Sequence, residues 1–266
     1  MTTLFVTGAA SGIGKALTTR ALARGDRVIA CDLAAIDLPA QANLLPLQID
    51  LGSTESVAAA FAKTDEWLNG AKLNAVVNCG GICPLGAIEV QPIEIIQRVL
   101  NINAVGSARI LQQALPRLRG HGGRVILMSS LWGKVSGPML SAYCASKFAI
   151  EALADTARRE THGQNVHIAI VEPGPVRTQL VVNQVKDAKA AAAKLPSAFE
   201  PIYGNLYRSY AKMIEKNASG GSSAEQCAAV IERAISASKP KTRYTVGPES
   251  KALTSLGWLL PDRTLD

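Results

Sequence analysis

A tyrosine and a lysine stand four residues apart in the segment "SAYCASKFAI", as Tyr143 and Lys147. On a helix, residues with this spacing lie on one face, so the ammonium group can approach the phenol. A phenol with a reference pKa near 10 is a poor base at neutral pH. An ammonium about 5 Å away stabilises the phenolate by roughly 3 kcal/mol at an effective dielectric of about 20, but by under about 1 kcal/mol in bulk water. Tyr143 can therefore act as an acid/base at neutral pH only if the pair lies in a site that is sheltered from water.

The same spacing also occurs without any function on exposed helices, so other candidate groups matter. The three histidines, His121, His162 and His167, lack metal-ligand spacing, and His167 lies in an apolar run that predicts packing. The sequence therefore offers few histidines that could form a zinc site or a Ser-His-Asp triad. The five cysteines contain no C-x-x-C pair, which favours reduced thiols and a cytoplasmic protein.

Composition narrows the possible partners. The net charge is +7, but no basic arm or stripe stands out along the 266 residues, so nucleic acid is not an expected partner. No apolar run approaches the roughly 18 residues of a membrane helix, and the first residues lack a secretory pattern. A small anionic ligand such as a dinucleotide remains compatible with this charge.

The elements that must position Tyr143 and Lys147 follow an alternating order. Short β-branched runs such as "TLFVT", "RVIAC", "LLPLQI", "LNAVVN", "GRVILMSS" and "VHIAIVEP" alternate with longer helical patterns. Near-continuous apolar strands between helices indicate βαβ units around a parallel sheet that is buried on both faces. The pattern predicts a doubly wound α/β fold, and the absence of a linker or repeat predicts a single domain over 1–266.

A glycine-rich turn follows the first predicted strand. "TGAASGIG" runs from Thr7 to Gly14 and opens a helix, and glycines there would let the backbone approach a pyrophosphate at the helix N-terminus. The spacing differs from G-x-G-x-x-G, and an ordinary tight turn is the alternative. Asp32, at the end of the second predicted strand, could hold the adenosine ribose hydroxyls and would repel a 2′-phosphate. The sequence therefore predicts NAD rather than NADP.

Six motifs together resemble the short-chain dehydrogenase/reductase family over roughly residues 3–180. They are "TGAASGIG", "NCGG" at 78–81, "NINAVG" at 101–106, "SS" at 129–130, "YCASK" at 143–147 and "PGPVRT" at 173–178. Their agreement in order and in element is far more specific than any single motif. The resemblance implies a Rossmann-like sheet of about seven strands and a nicotinamide cofactor.

Catalytic roles follow from the resemblance, motif by motif. It implies that Tyr143 is the acid/base, that Lys147 lowers the pKa of Tyr143, that Ser130 binds the substrate oxygen, and that Asn103 holds a proton-relay water. Ser129 is the weaker alternative to Ser130. For Asn103, a structural role as a helix-kinking amide is an equally good interpretation.

The resemblance also implies a set of cofactor-binding residues. They are Gly8, Ser11, Gly12, Ile13, Gly14, Asp32, Asp50, Leu51, Asn78, Gly80, Tyr143, Lys147, Pro173, Gly174, Val176 and Thr178. Cys79 stands where the family usually has a polar amide, which removes one expected hydrogen bond. Asp50 also has a plain alternative, as an acid at a helix N-terminus.

The segment 177–216 is expected to form a substrate-binding lid, because ligands of open α/β sheets bind beyond the carboxyl ends of the strands. Phe199, Tyr203, Tyr207 and Tyr210 recur there at helical spacing, which fits either core packing or a hydrophobic substrate wall. Leu131, Trp132, Met139 and Leu140 add apolar surface near Ser130. We expect a bulky apolar secondary alcohol or ketone as substrate. The segment 242–266 also resembles, less specifically, hydroxysteroid and retinol dehydrogenases of the same family.

Two alternatives remain open at this stage. One is an NADPH-dependent carbonyl or acyl-thioester reductase, which Asp32 disfavours. The other is a dinucleotide-sensing binding protein without catalysis, which the joint presence of Asn103, Ser130, Tyr143 and Lys147 disfavours. The family resemblance further implies a homodimer or homotetramer.

Overall fold

The computed structural model describes residues 1–217 and 220–259. The strands are β1 (Thr3–Thr7), β2 (Arg27–Asp32), β3 (Leu44–Gln48), β4 (Ala75–Asn78), β5 (Gly123–Met128), β6 (Val166–Pro173), β7 (Val176–Arg177), β8 (Ser222–Ser223) and β9 (Arg243–Val246). The helices are α1 (Gly12–Ala23), α2 (Thr54–Leu68), α3 (Ile93–Val99), α4 (Gly106–Leu118), α5 (Ser141–Glu160), α6 (Gln179–Ala193), α7 (Glu200–Asn217), α8 (Ala224–Ser236) and α9 (Pro248–Leu259).

In the described part of the chain, seven parallel strands form the central sheet, in the order β3-β2-β1-β4-β5-β6-β9. The order reverses between β1 and β4, so their carboxyl ends diverge and leave a crevice there. Thr7 at the end of β1 pairs with Cys31 of β2 on one side and with Asn78 of β4 on the other. The predicted doubly wound Rossmann-like fold is confirmed.

Alternate residues of the strands enter two different cores. Phe5 and Ile29 face a core shared with α2, α4 and α5, whereas Leu4 and Val28 face a second core shared with α1 and α8. Burial on both faces explains why the strand sequences read as continuous apolar runs. The sheet is thereby fixed from both sides, which holds the loops at its carboxyl edge in place.

Two elements differ from the sequence pattern. The helical run predicted over 92–118 is interrupted, because a π-helical turn at Leu100–Val105 separates α3 from α4. The seventh strand, β9, lies in a segment whose pattern did not predict a strand. Within the described residues, β9 pairs with β6 alone and is partly exposed, so its residues mix polar and apolar types.

The predicted lid region is a pair of helices. α6 and α7 pack against each other and share an apolar cluster with the loop at 83–87 and the start of α5. Among the described residues, no helix is both long enough and apolar enough to cross a bilayer. The single-domain interpretation stays a prediction, and residues 260–266, the end of the segment compared with hydroxysteroid dehydrogenases, lie outside the described residues.

Candidate active site

The glycine-rich turn after β1 is shaped by close backbone contacts. Gly8 has φ +68°, in the left-handed region that glycine adopts at low cost. A Cβ on Gly14 would lie 2.2 Å from the Gly8 carbonyl oxygen, which no side chain tolerates. Ser11 is the N-cap of α1, yet its side chain makes no capping hydrogen bond. The first backbone N–H groups of α1 therefore remain available to an anion.

A cavity of about 510 Å³ opens over this turn. It contains most of the residues that the resemblance assigned to the cofactor. Those present are Gly8, Ser11, Gly12, Ile13, Gly14, Asp32, Asp50, Leu51, Gly80 and Thr178. A glycine cradle, an open helix N-terminus and a carboxylate at the end of β2 together fit a dinucleotide.

Asp32 is half-buried, and its carboxylate connects two loops by hydrogen bonds to their backbones. One carboxylate oxygen accepts a hydrogen bond from the backbone N–H of Ala10 and the other accepts from that of Ala34, both at 3.0 Å. Each oxygen retains a further lone pair for a ligand hydroxyl. Asp32 therefore fixes the glycine-rich turn and also presents negative charge to the cavity.

Asp50 and Leu51 have different surroundings. Asp50 is exposed, and its side chain accepts from the Gly52 backbone at 2.7 Å. Ser53, not Asp50, caps α2, since its hydroxyl accepts from the Ser56 backbone at 3.1 Å. Leu51 is buried, and a Cβ on Gly80 would lie 2.6 Å from its side chain. Leu51 thus supports the loop beneath the cavity, while Asp50 is free to accept from a ligand.

Asn78 belongs to the predicted cofactor set but does not line this cavity. Its buried amide accepts from the Thr7 hydroxyl at 2.5 Å and donates to the Ser107 hydroxyl at 3.0 Å. The Thr7 hydroxyl also accepts from the Gly80 backbone at 3.1 Å. The amide is thus used to tie β1 and β4 to α4, and Asn78 acts on the cavity through the backbone that it positions.

Tyr143 and Lys147 lie on the first turns of α5, and both line the same cavity. The Lys147 ammonium is 5.4 Å from the centroid of the Tyr143 ring and donates to the Met128 carbonyl at the end of β5 at 2.7 Å. The Lys147 residue is only 5% exposed. The exposed-pair interpretation is thereby excluded.

Burial dominates the electrostatics of this pair. Burial raises the pKa of Tyr143 above its ordinary value, and a hydrogen bond with Ser130 opposes that rise. Burial lowers the pKa of Lys147 to about 8. In the chain alone, burial dominates the pKa of both groups, so the phenol is neutral at pH 7. That Lys147 lowers the pKa of Tyr143 stays a prediction.

Ser130 follows β5 and is buried at 7% exposure. Its hydroxyl lies 3.5 Å from the Pro173 carbonyl oxygen, to which it donates weakly. The neighbouring Ser129 hydroxyl is buried and has no hydrogen-bond partner among the residues described. Of the two serines, Ser130 is the one that affects the pKa of Tyr143.

Asn103 is 1% exposed and lies in the π-helical turn. Its amide nitrogen donates to the Ile82 carbonyl at 2.9 Å and to the Ser146 hydroxyl at 3.0 Å, and its amide oxygen accepts from the Ile82 backbone at 2.9 Å. Ser146 in turn donates to the Tyr143 carbonyl at 2.7 Å. This geometry supports the helix-kinking interpretation, while the relay water stays a prediction.

A second cavity of about 230 Å³ adjoins the first. It contains Ser130, Tyr143 and Lys147 together with Pro173, Gly174 and Val176. The two cavities share five wall residues, which are Ile13, Cys79, Gly81, Thr178 and Leu180. Thr178 also begins α6 as its N-cap. A ligand that extends from the first cavity past these shared residues would therefore enter the cavity that Tyr143 and Ser130 line.

The walls of the second cavity are mainly apolar. They include Leu131, Trp132, Leu140, Leu180, Val181, Tyr210, Met213 and Ile214. Of the predicted aromatic stripe, only Tyr210 reaches this cavity. Phe199 packs near Tyr203, with ring centroids 6.3 Å apart, and Tyr207 is buried against the loop at 87. Met139 is buried but does not line this cavity.

Several supporting residues were not anticipated from the sequence. Thr7, Ser107 and Ser146 connect the candidate residues, and Gln184 reaches the second cavity, where its amide contacts the Cys83 sulfur at 2.9 Å. Ser107 follows Asn103 by four residues and Ser146 precedes Lys147, so proximity on a helix was the available signal. Cys79 and Cys83 are nearby thiols whose pKa burial raises to about 12, so they remain protonated.

Comparison with known proteins agrees with this geometry. The family model described as "short chain dehydrogenase" matches residues 2–189. A protein named NADPH-dependent 3-dehydrocapnine reductase, from Ornithobacterium rhinotracheale, is 30% identical over 98% of this chain and 93% of that protein. Human retinol dehydrogenase 5 is 31% identical over 99% and 86%, and human 17-beta-hydroxysteroid dehydrogenase type 6 is 31% identical over 93% and 81%.

Solved structures share the fold. A short-chain dehydrogenase from Burkholderia cenocepacia, in complex with NADP, has a TM-score of 0.76 at 20% identity and covers 99% of this chain and 94% of its own. A Burkholderia phymatum protein in complex with NAD has a TM-score of 0.77 at 20% identity, with coverage of 96% and 92%. The family-model match and the relatives of 30% identity or more show that the chain belongs to the short-chain dehydrogenase/reductase family of oxidoreductases.

Proposed function

We propose that the protein is an NAD-dependent oxidoreductase that interconverts a secondary alcohol and a ketone on a bulky hydrophobic substrate. The observation that carries this proposal is that the mainly apolar cavity lined by Ser130, Tyr143 and Lys147 adjoins the cavity over the glycine-rich turn. A bound nicotinamide dinucleotide would supply or accept the hydride. The protein itself must bind the substrate oxygen and manage its proton.

In this proposal Tyr143 exchanges the proton with the substrate oxygen. In the reducing direction the phenol gives its proton to the oxygen as the carbonyl becomes an alcohol, and in the oxidising direction the phenolate takes it back. Ser130 donates a hydrogen bond to the same oxygen, as an oxyanion donor does. Lys147 is held close to the ring through Met128, and its ammonium favours the phenolate once the proton has left.

Because the pKa of Tyr143 is raised in the chain alone, the two directions of the reaction place different demands on this phenol. A neutral phenol is the form needed to protonate a carbonyl reduction product, whereas alcohol oxidation needs the phenolate. A positive charge close to the ring must therefore add to that of Lys147 when the oxidised cofactor is bound. Hence alcohol oxidation should depend more steeply on pH than ketone reduction does.

The NAD preference rests on Asp32. Its carboxylate lines the first cavity, and a 2′-phosphate placed beside it would experience like-charge repulsion. Two observations favour the alternative, an NADPH-dependent carbonyl or acyl-thioester reductase. Arg98 lines the same cavity, and one relative is named as NADPH-dependent. Titration of the protein with NADH and NADPH, followed by fluorescence, distinguishes the two readings.

The substrate class rests on the apolar lining of the second cavity, and relatives named as retinol and hydroxysteroid dehydrogenases agree with it. The test is a substrate panel followed at the nicotinamide absorbance band, with both cofactors. We expect turnover of steroid-like, retinoid-like or aryl alcohols. Turnover of small polar polyols with no turnover of these alcohols would overturn the proposal.

The cytoplasmic location and a dimeric or tetrameric assembly also stay predictions. The assembly follows from the family resemblance alone, and sedimentation velocity of the purified protein tests it. A dinucleotide-sensing protein without catalysis is the alternative of another class. The grouping of Ser130, Tyr143 and Lys147 on one cavity disfavours it, because a sensor has no use for an acid/base group beside the cofactor.

A further inference from the structure

Three tyrosines follow one another along α7, and two of them have a structural partner. The Tyr203 hydroxyl donates to the Glu89 carboxylate at 2.6 Å, and the Tyr207 hydroxyl accepts from the Ala87 backbone N–H at 3.0 Å. Both bonds tie α7 to the loop that follows β4. These two hydroxyls are therefore explained by the fold itself.

The third hydroxyl, that of Tyr210, has no such explanation. Tyr210 is 7% exposed, and its side chain lines the second cavity opposite α5. Among the side chains that the structure describes, its hydroxyl has no hydrogen-bond partner. Burial also raises the pKa of this phenol, so it stays neutral and can both donate and accept.

The Tyr210 oxygen is not among the fully buried side-chain atoms that lack a partner, so in the free protein it can hydrogen-bond water in the cavity. A ligand that displaces this water must either supply a partner or leave the hydroxyl unpaired, which costs binding free energy. The reacting oxygen of the substrate already has two partners, Ser130 and Tyr143, on the β5 and α5 side of the cavity. The free hydroxyl on α7 therefore suits a different polar atom of the same ligand.

We propose that Tyr210 is a specificity-determining residue that hydrogen-bonds a second oxygen of the substrate, remote from the reacting one. This inference rests on the proposed function, which supplies the substrate cavity, and it narrows the substrate class. The substrate is then a bulky apolar skeleton with a hydroxyl or carbonyl group at each of two separated positions. A purely hydrocarbon alcohol would leave the hydroxyl of Tyr210 buried and unpaired.

The test is the binding of a matched series to the protein and to Tyr210→Phe. The probes are 4-acetylbiphenyl and its 2′-, 3′- and 4′-hydroxy derivatives, titrated by calorimetry with oxidised NAD present, so that the ketone cannot be reduced. We expect at least one hydroxy derivative to bind the wild type about tenfold more tightly than the parent. In Tyr210→Phe this preference should vanish while the affinity for the parent is unchanged.

Tyr203→Phe is the matched control, because it makes the same change on the same helix at a hydroxyl that pairs with Glu89. It should keep the preference. The thermal midpoint separates a ligand role from a structural one: Tyr207→Phe should lower it, whereas Tyr210→Phe should leave it unchanged or raise it. The inference is overturned if no hydroxy derivative binds the wild type more tightly, if the preference survives in Tyr210→Phe, or if Tyr210→Phe lowers the midpoint as Tyr207→Phe does.

This binding measurement does not depend on turnover. A preference that Tyr210→Phe abolishes, in a protein that transfers no hydride to any ketone, would refute the proposed function and leave the polar anchor in place. Turnover of apolar alcohols without any such preference would do the reverse.

Discussion

At the scale of single residues, the candidate site shows how burial and charge compete. Lys147 is close to the Tyr143 ring, yet burial lowers the pKa of Lys147 to about 8 and raises that of Tyr143. The spacing of the two residues predicted their proximity correctly. It could not predict the balance between attraction and desolvation, because that balance depends on the Met128 carbonyl and on the apolar walls, which come from distant parts of the chain.

Replacing Tyr143 with phenylalanine removes the hydroxyl and little else. We expect kcat to fall by about 10²- to 10⁴-fold, the usual contribution of a positioned acid or base, while the dissociation constant of the cofactor changes little. Steady-state kinetics and a cofactor titration provide the measurement. Tyr203→Phe is the control and should retain activity. Wild-type turnover in Tyr143→Phe would refute the assigned role.

Asp32→Asn tests the cofactor preference at one residue. The change keeps the size of the side chain and one acceptor oxygen, but it removes the charge next to the ribose position. We expect the affinity for NADP to rise roughly tenfold relative to that for NAD, since a nearby like charge typically contributes one to a few kcal/mol. Dissociation constants from fluorescence titration give the ratio. Asp50→Asn, at the other carboxylate of the cavity, should leave the ratio unchanged, and an equal shift in both variants would contradict the assignment.

At the scale of elements, the strands could be predicted from the sequence because both of their faces are buried, so the apolar runs are continuous. The interruption between α3 and α4 could not. The run at 92–118 has a helical pattern throughout, and the π-helical turn is held by the tertiary bonds of Asn103 to the Ile82 backbone. β9 was missed for a related reason, since it has one neighbouring strand and keeps polar residues such as Arg243 and Thr245.

Asn103→Ala removes the bonds that hold this turn. The Ile82 N–H and carbonyl would lose their partner, and a buried unsatisfied group costs about 1–3 kcal/mol. We expect the free energy of unfolding in urea to fall by that amount, and kcat to fall with it, because Ser146 and the backbone of Tyr143 lose their support. Asn101→Ala is the control in the same turn. Its amide bonds the Gly52 carbonyl and Arg109, away from Tyr143, so it should cost stability without a matching loss of kcat.

At the scale of the whole molecule, the residues of the first cavity could be grouped from the sequence better than those of the second cavity. The glycine-rich turn and Asp32 lie at strand ends, and the sheet topology brings strand ends together. The lid depends on how α6 and α7 pack on the rest of the protein. Along α7, Tyr203 makes an exposed hydrogen bond to the Glu89 carboxylate, Tyr207 makes a buried hydrogen bond to the backbone, and Tyr210 lines the second cavity. A helical period alone cannot separate these three environments.

A charge cluster around a buried glutamate joins four parts of the chain. Glu172 of β6 is 2% exposed. It faces Glu151 of α5, Lys134 at 3.6 Å from the loop before α5, and Arg243 of β9 at 3.4 Å. Asp155 of α5 also binds Arg243, at 2.9 Å. Burial, and then the charge of Glu151, raises the pKa of Glu172 to about 7.

The raised pKa of Glu172 makes the free energy of unfolding depend on pH. Between about pH 4.5 and pH 7 the folded protein holds a proton on Glu172 that the unfolded chain has released, so stability falls as the pH rises through that window. In Glu172→Gln the side chain is neutral at every pH, and this component of the pH dependence should disappear. We therefore expect the variant to gain about 1–3 kcal/mol relative to the wild type between pH 5 and pH 8.

Urea unfolding of both proteins at pH 5, 6, 7 and 8 measures the difference. The exposed Glu160→Gln, on α5 as Glu151 is, serves as the control and should follow the wild type at every pH. Because Glu172 is already protonated in the wild type at pH 5, the two proteins are compared by the change in their free energy of unfolding from pH 5 to pH 8. Parallel curves for Glu172→Gln and the wild type would contradict the assignment of this proton to Glu172.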